Sequence, residues 1–228
     1  MGARRQTGPT ARGEAGFSLA ELIIGMGVTL LILSVASTLL AQSFSIRLRE
    51  DRRSDALADV QRAINVMTRE IANSGMALPD PLTYTPPGAA TPVSVPDNGL
   101  LPAYCDADDL TFVTNLDAAS GDNTVDGDEE QVHYSFYNNG GTSFLVRQNL
   151  TDGSVAVLAN RIDSVQFQYG TLAGVWGSTA SSDTVAVRIL VTVTLDAVGS
   201  PGGPGYQPAS STQLSSEVVL RNAMLSSF

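Results

Sequence analysis

The hydrophobic pattern changes character along the chain. From residue 22 to 41 every position is apolar or small, with no charge and no proline. A helix over that run, at ~1.5 Å per residue, is about 30 Å long, the thickness of a bilayer's hydrocarbon core. Beyond it Leu57, Val60, Ile64, Met67 and Ile71 recur at spacings of three and four, the stripe of an amphipathic helix. Asp55, Asp59, Arg62, Arg69 and Glu70 fall between them and read as its solvated face. No proline lies between Pro9 and Pro79, so the two patterns predict one helix from residue 17 to about 74. Ser74-Gly75 is the expected stop, with Pro79 shortly after.

Pro79, Pro81, Pro86, Pro87, Pro92, Pro96 and Pro102 then predict a connecting loop without regular structure. From Asp109 the period becomes two and β-branched and aromatic residues dominate. Strands are expected at 110–115, 131–137, 143–149, 162–169, 184–196 and 215–225. Asn138-Asn139-Gly140-Gly141 marks a hairpin, Thr151-Asp152-Gly153 a second turn, and 201–205 a Pro/Gly loop. Proline is absent from 103 to 200, where N–H groups must serve a ladder. The expectation is α+β: an antiparallel sheet with its apolar face on the stripe from Leu57 to Ile71.

With 43% hydrophobic residues in 228 and a mean hydropathy near zero, the composition fits one span plus one moderate soluble domain. The formal charge of −10 repels nucleic acid and anionic headgroups in general. One cysteine, Cys105, excludes an intramolecular disulfide. The apolar run is longer than a secretory h-region of ~7–15 residues and no small-x-small site follows it. Arginines stand on both sides of it, Arg4, Arg5 and Arg12 before and Arg47, Arg49, Arg52 and Arg53 after, so charge alone gives no orientation.

Gly16-Phe17-Ser18-Leu19-Ala20-Glu21 heads the apolar run, behind a short basic segment. It resembles the processing site of type IV prepilins and type II secretion pseudopilins: a leader ending in Gly, then Phe, then Glu four residues beyond. The resemblance implies a pilin fold, a long N-terminal helix packed on an antiparallel β-sheet. It also implies cleavage by a prepilin peptidase between Gly16 and Phe17 and N-methylation of the new Phe17 amine. Glu21 would then pair with the Phe17 amine of a neighbouring subunit during assembly. The implied organisation is a leader (1–16), an assembly half of the helix (17–44), an amphipathic half (45–75), a Pro-rich loop (76–108) and a sheet head (109–228). The leader would lie in the cytoplasm and the head in the periplasm, anchored by one pass through the inner membrane until the subunit joins a filament. Leu145-Val146-Arg147-Gln148, Ile162 to Tyr169, and Val218 to Asn222 follow in the order of PilW-like minor pilins and J-type pseudopilins. The missing disulfide, and the missing proline in the membrane half, depart from the pattern of major pilins.

Other constellations say less. Gly25, Gly27, Ser34 and Ser37 allow close helix approach but are ordinary in a membrane helix. Arg47, Arg49, Arg52 and Arg53 read as a solvated helix end, with headgroups or acidic partners as the alternative. Asp117, Asp122, Asp126, Asp128, Glu129 and Glu130 crowd one loop, and carboxylates suit Ca²⁺. The EF-hand template fails there, since a loop opened at Asp122 reaches His133 at its twelfth position, so a solvated acidic loop is the simpler reading. His133 and Cys105 have no partners at metal spacing, and no nucleophile elbow, phosphate loop or His-Glu-x-x-His is present. The expected function is structural, without cofactor or catalysis: a minor pilin that primes or caps a filament. The partners are prepilin peptidase, sibling pilin subunits and the lipid bilayer, with no nucleic acid at the head. A type II secretion pseudopilin is the first alternative, and a membrane-anchored Ca²⁺-binding or adhesive protein the second.

Overall fold

The computed structural model describes residues 18–78, 82–85, 90–115, 130–160, 162–203 and 205–225. The chain divides into two compact units, Met1–Ile46 and Arg47–Phe228. Helix α1 (Leu19–Ile71) begins in the first and ends in the second.

In the first unit the helix carries Leu, Ile, Val and Met on every face, and nearly all of its residues are exposed. Thr29, Thr38, Ser43 and Ser45 return their hydroxyls to helix carbonyls at 2.7–2.9 Å. Their donors are thereby satisfied without water, as an apolar surrounding requires. The helix is long and apolar enough to cross a membrane.

In the second unit the same helix is amphipathic. Its buried positions are Ala56, Val60, Ala63, Ile64, Met67 and Ile71, joined by one arginine, Arg49. Leu57, expected on the stripe, is only half-buried, and the line runs through Ala56 and Ala63 instead. Past Ile71 the chain turns at Gly75, which has φ +76 and whose N–H donates to the Val113 carbonyl at 2.9 Å. A Cβ on Gly75 would stand 2.1 Å from the Asp97 carbonyl oxygen, so glycine is required both for the turn and for the approach.

The Pro-rich segment corrects the sequence reading. It contains a small antiparallel hairpin, β1 (Leu82–Tyr84) with β2 (Val93–Val95), and a 3-10 turn at Pro102–Tyr104. Val95 and Leu101 pack with Val113 in a satellite core, and Leu100 joins the main one. The prolines punctuate this segment but leave its apolar residues free to bury.

Two four-stranded antiparallel sheets stand where one was expected. The first is a meander of β3 (Asp109–Val113), β4 (Gln131–Asn139), β5 (Thr142–Asn149) and β6 (Val155–Asn160). Gly140 and Gly141, with φ +62 and +84, close the two-residue turn between β4 and β5. The second joins β7 (Ser164–Thr171), β8 (Trp176–Gly177), β9 (Thr184–Leu195) and β10 (Ser210–Val219) in the order β10-β9-β7-β8. The expected last strand is displaced: it starts at Ser210 and stops at Val219, and helix α2 (Arg221–Leu225) follows. One core unites the helix stripe with Leu110, Phe112, Tyr134 and Leu145 of the first sheet. Val165, Phe167, Val187, Ile189, Val191 and Val218 complete it from the second.

Candidate functional site

No catalytic constellation takes shape among the described residues, and the features with chemical content are surfaces and ion pairs. Glu21 lies in the first turn of α1, exposed among exposed apolar neighbours. An acid there is favourable to the helix N-terminus. It is also the single charged side chain in α1 ahead of Arg47. Gly16 and Phe17 lie outside the described residues, as do Asp117, Asp122, Asp126, Asp128 and Glu129. Among the described residues no group of three or more His, Cys, Asp or Glu could hold a metal ion.

Arg49 is not part of a solvated helix end. It is buried, and its guanidinium donates to Gln207 Oε1 at 3.1 Å, the Pro208 carbonyl at 2.5 Å and Ser210 Oγ at 3.1 Å. A planar fork of donors suits this task, pinning the segment before β10 onto the helix. Beside it a cleft of about 560 Å³ is lined by Arg49, Arg52, Thr142, Asp163 and Asp196, with charges of both signs.

Glu70 likewise leaves the solvated face assigned to it. Its carboxylate accepts from Arg147 Nε at 2.9 Å and from the Tyr134 hydroxyl, with both ion-pair side chains only 16% exposed. The triad ties α1 to β4 and β5. Burial, then the Glu70 charge, pushes the Tyr134 phenol well above its ordinary range, so it stays a neutral donor. No local pattern could have signalled the pair, because its members are 77 residues apart. The Tyr134 position, opposite Arg147 in the β4–β5 register, completes it.

A second node sits where α1 ends. Ser74 Oγ donates to the Asn98 carbonyl at 2.6 Å. The Asn98 amide reaches the Ser181, Ser182 and Thr184 carbonyls at 2.9, 3.2 and 3.0 Å. One buried side chain thus joins the loop after β2 to the start of β9.

His133 and Cys105 are structural. Thr111 Oγ1 lies 2.8 Å from His133 Nδ1, and Asp109 Oδ1 is 3.5 Å from Nε2. Burial lowers the His133 pKa, and Asp109 opposes that only in part. The Cys105 thiol donates to the Thr111 carbonyl at 3.2 Å, and burial pushes its pKa up to about 11. It is accordingly a poor nucleophile.

No family model matches this chain, and no curated protein does. Among solved structures, the "Type IV-like pilin TTHA1219 from Thermus thermophilus" is similar over 73% of this chain and 97% of that one, at 13% identity and a TM-score of 0.40.

Proposed function

We propose that this chain is a pilin-type structural subunit, kept in a membrane by residues 19–46 and built into a filament through the same residues. One observation carries the reading. The large apolar side chains of that run are exposed on all sides of the helix, from Leu19 at 75% to Ile46 at 47%. Covering a Leu, Ile or Val is favourable by about 1.5–3 kcal/mol each. Summed over the run this exceeds the ~5–15 kcal/mol that holds a whole domain folded. Lipid, and then the same helix of sister subunits, are the partners that cover every face.

The finer reading rests on the sequence of the N-terminus. Cleavage between Gly16 and Phe17 leaves a cationic amine four residues before Glu21. A carboxylate at the edge of hydrocarbon is costly unless paired. An amine from a neighbouring subunit would offset that cost and fix the stagger of assembly. The expected role is that of a minor subunit that primes or caps the filament, with the head on the periplasmic side. Replacing Glu21 by Ala is expected to leave membrane insertion intact and to cut incorporation into sheared filaments at least tenfold by immunoblot. Undiminished incorporation of Glu21→Ala contradicts the pairing.

A further inference from the structure

Arg49 is the most enclosed arginine among the described residues, and its charge is unmatched among them. Arg147, with more of its surface in water, is met by the Glu70 carboxylate at 2.9 Å. Arg49 is 9% exposed, and its bonds all end on neutral oxygens, those of Gln207, Pro208 and Ser210. A cation withdrawn from water without an opposite charge is costly, and neutral acceptors offset that cost only in part. These bonds use one hydrogen of Nη1 and both of Nη2, so Nε–H and the second Nη1 hydrogen are left over. The side chain that carries them lines the cleft of about 560 Å³, a size ordinary for a small-molecule site.

The cleft carries both signs of charge on separate elements. Arg52 stands three residues beyond Arg49 on the same side of α1 and lines the cleft with it. Asp163 and Asp196 come from one end of the second sheet, where the chain enters β7 and leaves β9. Asp163 is held there by its N–H, which donates to the Thr192 carbonyl at 2.8 Å. Among the described residues Arg52, Asp163 and Asp196 have no ion pair and no side-chain hydrogen bond, and neither acid comes within 4.0 Å of either arginine. Ala56, Ile162 and Val193, all buried, give the cleft an aliphatic floor. Opposite charges that share a cleft without meeting leave room for a molecule that bears both.

We infer that this cleft binds a small aliphatic zwitterion, a short peptide with free termini, its carboxylate on Arg49 and Arg52 and its ammonium on Asp163 and Asp196. Both contacts are charge-assisted hydrogen bonds, the stronger kind. The carboxylate supplies the counter-charge that Arg49 lacks, and the apolar floor receives the aliphatic body. A phosphate is disfavoured, because the two aspartates and the overall charge of −10 repel a multiply charged anion. A ligand with a carboxylate alone leaves both acids unmet, and one with an ammonium alone leaves Arg49 as it was. Every residue of the cleft belongs to the second unit, so the site is independent of what the first unit binds.

The test is equilibrium dialysis of the full chain in uncharged detergent micelles against radiolabelled L-alanyl-L-alanine. One molecule per chain is expected to be retained. N-acetyl-L-alanyl-L-alanine, L-alanyl-L-alanine amide and inorganic phosphate, each lacking one of the two charges, are expected not to displace it at equal concentration. Arg49 also pins the segment before β10, so the variants are made at exposed Arg52 and Asp196 instead. Arg52→Gln and Asp196→Asn are each expected to weaken retention about tenfold, one charged hydrogen bond's worth, with the thermal melt of the ligand-free chain unchanged. No retention at probe concentrations up to about 10 mM overturns the site. Displacement by the acetylated peptide or by phosphate as effective as by the dipeptide itself overturns the zwitterion and leaves only an anion site. Retention undiminished in both variants overturns the placement in this cleft.

Discussion

The two halves of α1 share one backbone geometry and nothing of their surroundings. Leu31 is 67% exposed and Met67 is fully buried, and both sit in uninterrupted helix. In the first half apolar residues occupy every face; in the second they occupy a stripe that the sheets cover. Helix propensity is similar along both, so the side-chain pattern alone decides what each half binds. A stripe is completed within the chain. A helix that is apolar all round must be completed by something outside it.

Substitutions can break this contrast. Met67→Ala is expected to destabilise the head by about 2–5 kcal/mol, the cost of an unfilled core position. Leu31→Ala is expected to leave it unchanged. Urea titration in detergent micelles, followed by the fluorescence of the one tryptophan, Trp176, reads both variants. Equal effects would mean the two halves are not distinct.

The next effect concerns Glu70 and Arg147. Truncating Glu70 to Ala strands a mostly buried guanidinium, at an expected cost of about 3 kcal/mol. The double variant Glu70→Leu/Arg147→Met is expected to recover most of that loss, since it removes both charges. A double variant as unstable as the single one would show that the triad acts through packing and not through charge.

The smallest effect is a pH dependence centred on His133. Its folded pKa is lowered from 6.5 by burial, so the unfolded chain binds the proton more readily. Stability from this residue is present above pH 6.5 and declines as pH falls through the interval below it. Asp109, whose carboxyl is raised by burial, works in the opposite sense at lower pH. Melting between pH 7.5 and 5.5 is expected to fall slightly further in the native chain than in His133→Gln.

Much of this was legible in the sequence because periodicity is local. The helix, its stop at Gly75, and β3, β4, β5, β7 and β9 follow from spacing and turn residues. What was not legible depends on distant partners. Arg49 and Glu70 look like any solvated helix charge until Gln207 and Arg147, 158 and 77 residues away, are brought beside them. Strand β6 had a signal, the Asp152-Gly153 turn ahead of Val-Ala-Val-Leu, but so short an apolar run does not fix its own type. The division into two sheets is a tertiary choice that alternation does not encode. The N-terminal motif is the reverse case: it is legible in order and spacing, while Gly16 and Phe17 fall outside the described residues.

On the function proposed above, the apolar half of α1 is retained in the working protein with a freshly exposed N-terminus. Intact-mass and N-terminal sequencing of the chain extracted from its native membrane test it directly. The expected product is a polypeptide that begins at N-methylated Phe17 and keeps residues 19–46. A chain that still begins at Met1, or that has lost the apolar run, contradicts it.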